Sequence, residues 1–304
     1  MTATAAQIGE APVRWKRPSL AGLVWRVFTR RASRAIGAAI VLIFLLMAVV
    51  GPWLYPDRLP VDASNVYGGP TLAHPLGTDF EGTDVLALIV TGARYVILVA
   101  AIAAVITILI GSTIGLVSGY FLGSTDNLLM RVTDFVLTIP GFPLLVVLST
   151  VWTFSSPWSM GLVLGVTGWG GLARAVRSQT LSLRRREFVE AMRGLGMSRR
   201  HLILSEILPN VAPYIAMNLL VLSTAFIYAE VGLFFLGVVP FTANNWGVML
   251  NLAVTSGGAL NSPDALSYLL SPLVCILLLT LGLVLCLDAV DDLFNPRLRE
   301  GHVE

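Results

Sequence analysis

The sequence predicts an all-α polytopic membrane protein with six transmembrane helices and both termini on the cytoplasmic side. Three observations point there. The 304 residues are 56% hydrophobic and only 12% charged, with a mean hydropathy of +0.80, whereas a soluble domain carries about a quarter charged residues. Apolar runs recur near 35–55, 88–119, 128–152, 157–178, 210–237 and 269–290, each long enough to cross roughly 30 Å of hydrocarbon. The basic residues alternate with these runs. Eighteen of the twenty fall in segments that six crossings from a cytoplasmic N-terminus place inside, leaving only Arg58 and Arg94, as the positive-inside rule requires.

Residues 1–34 read as a cytoplasmic leader. Within it, Leu20, Leu23, Val24, Val27 and Phe28 form a helical stripe, with Arg17, Arg26, Arg30 and Arg31 mostly elsewhere. That pattern predicts an interfacial helix over Trp15–Arg31, its basic side against anionic lipid headgroups. The first apolar run, 35–55, has no small-residue cleavage pattern and is expected as a retained span. An extracytoplasmic loop, 56–87, follows, rich in proline and glycine. In it Thr78 and Glu81 have capping-box spacing, which predicts a short helix starting there. His74 stands beside Pro75 with no partner cluster, so it is read as a hydrogen bonder that fixes the loop rather than a metal ligand.

Residues 88–292 are expected to form a five-span core. The second span carries Gly111, Gly115, Gly119 and Gly123 at four-residue spacing, a seam where helix backbones approach closely. Its partner, a helix of this chain or of another subunit, is left open by the spacing. The third span contains Pro140 and Pro143, which kink or widen a helix; a substrate pathway and ordinary packing would both use that. The fourth is diluted by Gly161, Gly165, Gly168, Gly170 and Gly171. The fifth holds Glu230, the one carboxylate plainly inside an apolar run. Helical rise puts it about 30 Å above the cytoplasmic end, so it is read as structural or gating rather than substrate-binding. A polar outer loop, Pro240–Ser267, has no basic residue, and 293–304 is a cytoplasmic tail. Cys275 and Cys286 share one run at a separation of about 16 Å along a helix, too far for a disulfide.

Several chemistries are excluded. A nucleotide-binding P-loop needs a lysine after glycine, and the only lysine is Lys16, after Trp15. No HExxH, paired CxxC or GxSxG pattern occurs, and the three histidines, His74, His201 and His302, are scattered. No catalytic, cofactor or metal site is therefore expected in this chain, and no nucleic-acid partner. Any ATP hydrolysis must reside on another polypeptide.

The one long charged interruption in the second half is 180–209. Phe188, Ala191, Met192 and Leu195 fall at i, i+3, i+4 and i+7, giving one helix an apolar stripe. Gly196 supplies a left-handed helix end, Ser198 is placed to cap a second helix, and Pro209 limits how far that helix runs unkinked.

Glu190-Ala191-Met192 with Gly196 and Ile207-Leu208-Pro209 resembles the cytoplasmic EAA loop of bacterial ABC importer permeases. Further motifs are similar to the C-type permease subunit of dipeptide, oligopeptide and nickel importers. They include His74-Pro75-Leu76-Gly77-Thr78-Asp79, Asp126 with Arg131, Ala173-Arg174, Phe235-Leu236-Gly237, Trp246-Gly247 and Asn295-Pro296-Arg297-Leu298. Met192 stands in place of the usual second alanine, Thr83 where arginine is common, and 152–170 and 244–267 match poorly. The resemblance implies the type I importer permease fold in the bacterial inner membrane. It also implies a second homologous permease subunit, two cytoplasmic ATPase subunits that bind ATP and Mg, and an extracytoplasmic binding protein. Phe188, Ala191, Met192 and Leu195 would contact an ATPase, Glu190 would anchor the contact, and Gly196 and Ser198 would shape the turn. The implied cargo is di- or oligopeptides, with oligosaccharides, nickel chelates or glutathione-like solutes as alternatives. A gradient-driven carrier is disfavoured by the lack of repeated halves and the scarcity of intramembrane charges.

Overall fold

Helices crowded with alanine and glycine can approach more closely than leucine-rich ones, and that sets the packing of this chain. The computed structural model describes residues 27–55, 59–152, 154, 156–241, 244–259 and 263–294. Every regular element among them is helical. They are α1 (Ala32–Leu54), α2 (Val85–Phe121), α3 (Gly123–Thr138), α4 (Gly141–Val151), α5 (Pro157–Thr167), α6 (Gly170–Arg184), α7 (Glu187–Gly194), α8 (Leu208–Phe235), α9 (Trp246–Thr255) and α10 (Leu266–Phe294). A turn at Arg199–His201 and a π-helical stretch at Leu202–Ile207 run directly into α8. The interfacial helix expected over Trp15–Arg31 lies outside the described residues except for 27–31, and most of the tail lies outside them as well.

Helix α2 is the central pillar. Its 37 residues span about 55 Å at the usual helical rise, so it projects beyond the hydrocarbon. Its start is fixed by Asp84, whose carboxylate accepts the Leu86 and Ala87 N–H groups at 2.8 and 3.4 Å. The capping box expected at Thr78 does not form. The Thr78 hydroxyl is spent on the loop, accepting from Gly68 N at 2.8 Å and donating to the Asn65 carbonyl. Asp79 instead gathers the Glu81 and Thr83 N–H groups, at 2.9 and 2.8 Å. Burial pushes the Asp79 carboxyl above its ordinary range, opposed by those backbone donors. His74 Nδ1 lies 3.2 Å from Asp84 Oδ2, tying the loop to the cap.

The glycine seam of α2 faces α6 of the same chain. A Cβ on Gly115 would stand 2.7 Å from both the Ala173 carbonyl oxygen and Val176 Cβ, and one on Gly119 2.7 Å from Thr180 Cβ. Gly111 likewise lies against Leu172 and the Trp169 carbonyl. Gly123 departs from the expected seam. It has open space around it and φ +61°, and it forms, with Leu122 at φ 57°, the reversal from α2 into α3. On another side α5 presents its own glycines to α2, Gly161 against Ile102 and Gly165 against Ile106. Of the five glycines that dilute the fourth apolar run, all but Gly171 are thus close-contact positions.

Among the described residues, four helical stretches are long and apolar enough to cross a membrane: Ala32–Leu54, Val85–Phe121, Arg199–Phe235 and Pro263–Leu293. The third expected span is broken rather than kinked. Helices α3 and α4 meet at 79°, with Pro140 in extended backbone as the N-cap of α4 and Pro143 in its first turn. The fourth expected span, 157–178, is also two helices, α5 and α6, of 11 and 15 residues. The break comes at Gly168-Trp169, where a side chain on Gly168 would collide with Phe226 and one on Gly170 with Leu137. The polar outer loop expected over Pro240–Ser267 holds a further helix, α9, whose Trp246, Val248, Met249, Leu250 and Ala253 are buried against α8, α10 and α2.

Gly115→Ala should cost about 1–3 kcal/mol through overpacking, whereas Gly171→Ala, with nothing within 4 Å of the added Cβ, should leave stability unchanged or raised. Thermal unfolding of the two variants in detergent checks the difference; equal melting curves would refute the tight seam.

Candidate functional site

The segment after α6 is built from two helix ends and one short helix between them. Helix α7 is a single exposed cylinder of eight residues with Glu187 and Glu190 in its first turn and Arg193 in its last, the order that complements the helix dipole. It ends in a Schellman turn. Gly196, at φ +79°, donates to the Arg193 carbonyl at 3.0 Å, and Met197 N–H reaches back to Met192 O at 3.3 Å, satisfying carbonyls that the helix leaves open. Ser198 then accepts the His201 N–H at 3.3 Å, capping the next turn.

Beyond Ser198 the second helix does not run regularly up to Pro209, the residue expected to limit it. It widens into π-helical bonding over Leu202–Ile207, where the Leu208 N–H bonds the Ile203 carbonyl, and continues as α8. A missing proline N–H and its ring clash would strain a regular helix; the wider turn relieves both. The Asn210 side chain donates to the Glu206 carbonyl at 2.6 Å, covering a group exposed there.

The stripe on α7 divides between two faces. Val189 is fully buried in a small second core with Leu116, Tyr120, Leu172, Val176, Leu202, Ile207 and Val211, and Met192 packs partly against it. Phe188, 39% exposed, Ala191 and Leu195, 80% exposed, point away from that core, as does Glu190. Of the residues expected to meet a partner, Met192 therefore serves chiefly to seat the helix. Val189 escaped sequence reading because one stripe was drawn where two overlap; its i+3 spacing to Met192 was the available signal.

The stems of the loop grip the end of α2. The Arg184 guanidinium lies over the Tyr120 ring at 5.8 Å and the Arg199 guanidinium over Phe121 at 5.7 Å, and the two rings meet edge to face at 5.3 Å. Each contact contributes about 0.5–1 kcal/mol where exposed. Together with Val189 they join α7 to α2, α6 and α8.

Glu230 lies at the other end of α8, fully buried. Its Oε1 accepts the Asn245 amide at 2.6 Å, while the Asn245 oxygen accepts the Gly247 N–H at 2.6 Å and so caps α9. Trp246 donates to the Ile89 carbonyl at 3.0 Å, and Gly247 lies where a Cβ would meet the Val231 carbonyl at 2.6 Å. Glu230 is thus the anchor of α9. Pro140 and Pro143 lie at the exposed α3–α4 elbow, with Phe142 against Gly232 of α8. Among the described residues no group of three His, Cys, Asp or Glu is placed to hold a metal ion.

The chain is a two-core helical bundle with a short helix projecting between α6 and α8. Residues 111–300 match the model of the binding-protein-dependent transport system inner membrane component. Residues 19–70 match the N-terminal transmembrane domain of oligopeptide transport permease C. The chain belongs to this family of ABC permease subunits; it is a multi-pass membrane component of a multi-subunit transporter and not its ATPase. It is 38% identical over 218 residues to the oligopeptide transport system permease protein OppC of Mycobacterium tuberculosis, covering 71% of this chain and 75% of that protein. It is 35% identical over 244 residues to the dipeptide transport system permease protein DppC of Bacillus subtilis, covering 78% and 75%. The Haemophilus influenzae OppC protein is 34% identical over 236 residues, covering 75% and 76%.

Asn245→Ala removes a cap worth about 1 kcal/mol and leaves a buried acceptor short of a partner at about 1–3 kcal/mol. It should lower the melting temperature more than Glu230→Gln, which keeps the oxygen that faces Asn245. The reverse order in detergent-solubilised protein would remove Glu230 from its role as the anchor of α9.

Proposed function

We propose that this subunit carries di- or oligopeptides across the bacterial inner membrane, driven by ATP hydrolysis on partner subunits. The observation that supports this most is the shape of α7: a short helix fixed to its own chain through Val189 while Phe188, Ala191 and Leu195 stay uncovered. The peptide cargo is taken from the names of the relatives.

In this reading the chain crosses six times. Four crossings are the long helices, the fifth is the broken α3–α4 pair, and the sixth is α5 with α6; both termini and 180–209 face the cytoplasm. Residues 1–34 are the cytoplasmic leader with its interfacial helix, 56–87 the outer loop, 88–292 the core, and 293–304 the tail. A second homologous permease completes the pathway, two ATPases hold ATP and Mg, and an external binding protein delivers cargo.

The geometry suggests how force enters. An ATPase cleft receives Phe188, Ala191 and Leu195, with Glu190 as a polar anchor. Because Val189 and the two arginine–ring contacts fasten α7 to α2, α6 and α8, displacement of α7 carries those helices together. The two-state element is then biased by ATPase closure below and by binding-protein docking above.

Gly196→Arg or Glu190→Ala should leave the complex in the membrane but lower uptake per ATP by about tenfold, within the usual range of coupling free energies between linked sites. Uptake assays in vesicles holding the whole complex read this, and wild-type coupling in both variants would sink the assignment. The isolated subunit should neither bind nor hydrolyse ATP; nucleotide binding measured on purified protein is the check, and saturable binding would overturn it.

A further inference from the structure

Helix α3 is held unlike its neighbours. Only two of its residues are buried, and both are polar: Asp126 and Thr133. Its apolar side chains Leu128, Val132 and Phe135 are exposed. Two of the three contacts that hold it to α6 are charge pairs. Arg177 grips Asp126 as a fork, Nε to Oδ1 and Nη2 to Oδ2, both at 2.6 Å. Further along α3, Asp134 Oδ1 accepts Nε and Nη2 of Arg174 at 3.1 and 2.6 Å. Beyond that, Leu137 leans over Gly170 at the start of α6. Partner positions fall on α6 as they rise on α3, so the helices run antiparallel with three points of attachment.

These attachments join two parts of differing rigidity. Helix α6 is locked to α2 by the glycine seam and leads directly into the loop that carries α7. Helix α3 leads through Ile139 and Pro140 into the 79° elbow and α4, which buries only Leu145 and Ser149. An element docked by apolar burial would lose its hold gradually as it slid. A bidentate Arg–carboxylate pair fixes distance and orientation at once.

We propose that the Arg177–Asp126 and Arg174–Asp134 pairs yoke α3 to α6, so that movement of the cytoplasmic loop is handed to the elbow at Pro140. These four are positioning residues: they act by carrying α3, not by touching cargo. The proposal rests on 180–209 being the ATPase-coupled loop.

The experiment uses the complete complex in proteoliposomes, measuring peptide uptake and ATP hydrolysis together, with a spin-label pair on Leu128 and Ser182 reporting the α3–α6 distance. Arg177→Asp should lower uptake per ATP by about tenfold, a step within the range by which residues along a coupled element shift its equilibrium. It should also broaden the distance distribution. Combining it with Asp126→Arg should restore coupling to within about threefold of wild type, since opposite charges again face each other. Full coupling in Arg177→Asp, or no rescue by the swap, would overturn the yoke. If Arg177→Asp fails to assemble, the exposed pair decides: Arg174→Asp should uncouple and Asp134→Arg should rescue it, and wild-type coupling in Arg174→Asp refutes the proposal. Gly196→Arg separates the two levels. If it uncouples while the arginine variants do not, the yoke alone fails; if it is wild type, the loop assignment fails.

Discussion

The close approach of α2 and α6 is the constraint on which the rest depends. Three glycines on one face of α2 let the α6 backbone come so near that an added Cβ would overlap carbonyl oxygens. In lipid there is no hydrophobic reward for bringing two apolar helices together, so close van der Waals contact must supply the attraction. That contact makes α2 and α6 one rigid part. The lower core with Val189 extends the rigid part to α7, and the π-helical start of α8 completes it. Without the seam, α7 would be a surface helix with nothing firm behind it.

The two ends of α8 show different solutions to the same problem of placing polar groups near apolar ones. At its N-terminal end, arginines lie over the rings of Tyr120 and Phe121, keeping their charge at the edge of the core. At the other end Glu230 is buried outright and relies on Asn245. Breaking a buried polar contact costs more than the contact contributes when formed, because the remaining group is stranded. The Glu230–Asn245 contact therefore specifies where α9 sits more than it adds stability. That placement lets a short helix pack against α2 and α10.

Much of this was legible in the sequence, and the parts that were not have physical causes. Apolar runs and arginine placement indicated helices crossing a membrane, and the left-handed Gly196 and capping Ser198 sit where their chemistry demands. The seam partner was open because four-residue spacing records that something approaches closely without recording what. Pro209 limited the regular helix as its chemistry predicts, but the π turn that accommodates it was not legible in the proline itself. Thr78 misled because a capping pattern competes with turn hydrogen bonds, and here the turn took the hydroxyl. Glycine in 157–178 suggested weakness on a hydropathy measure; in contact with Ile102 and Ile106 it marks strength. Helix α9 was hidden by the polar Asn244-Asn245 that precede it, although Asn245 is a good N-cap and the residues after it are apolar.

The division of labour among forces depends on what each must survive. Contacts that persist through a transport cycle are best made of packed small residues, which have one good arrangement and a steep cost on either side. Contacts that must carry an element through a changing environment are better made of directional charge pairs, which keep their geometry when surrounding surfaces slide. The seam of α2 and the arginine–aspartate pairs on α3 are these two kinds, placed on neighbouring faces of the same helix α6. A helix gripped by packing on one face and by charge on the next transmits displacement rather than absorbing it. That arrangement makes α6, and not the more conspicuous α7, the element through which the 180–209 loop and the broken α3–α4 pair are mechanically joined.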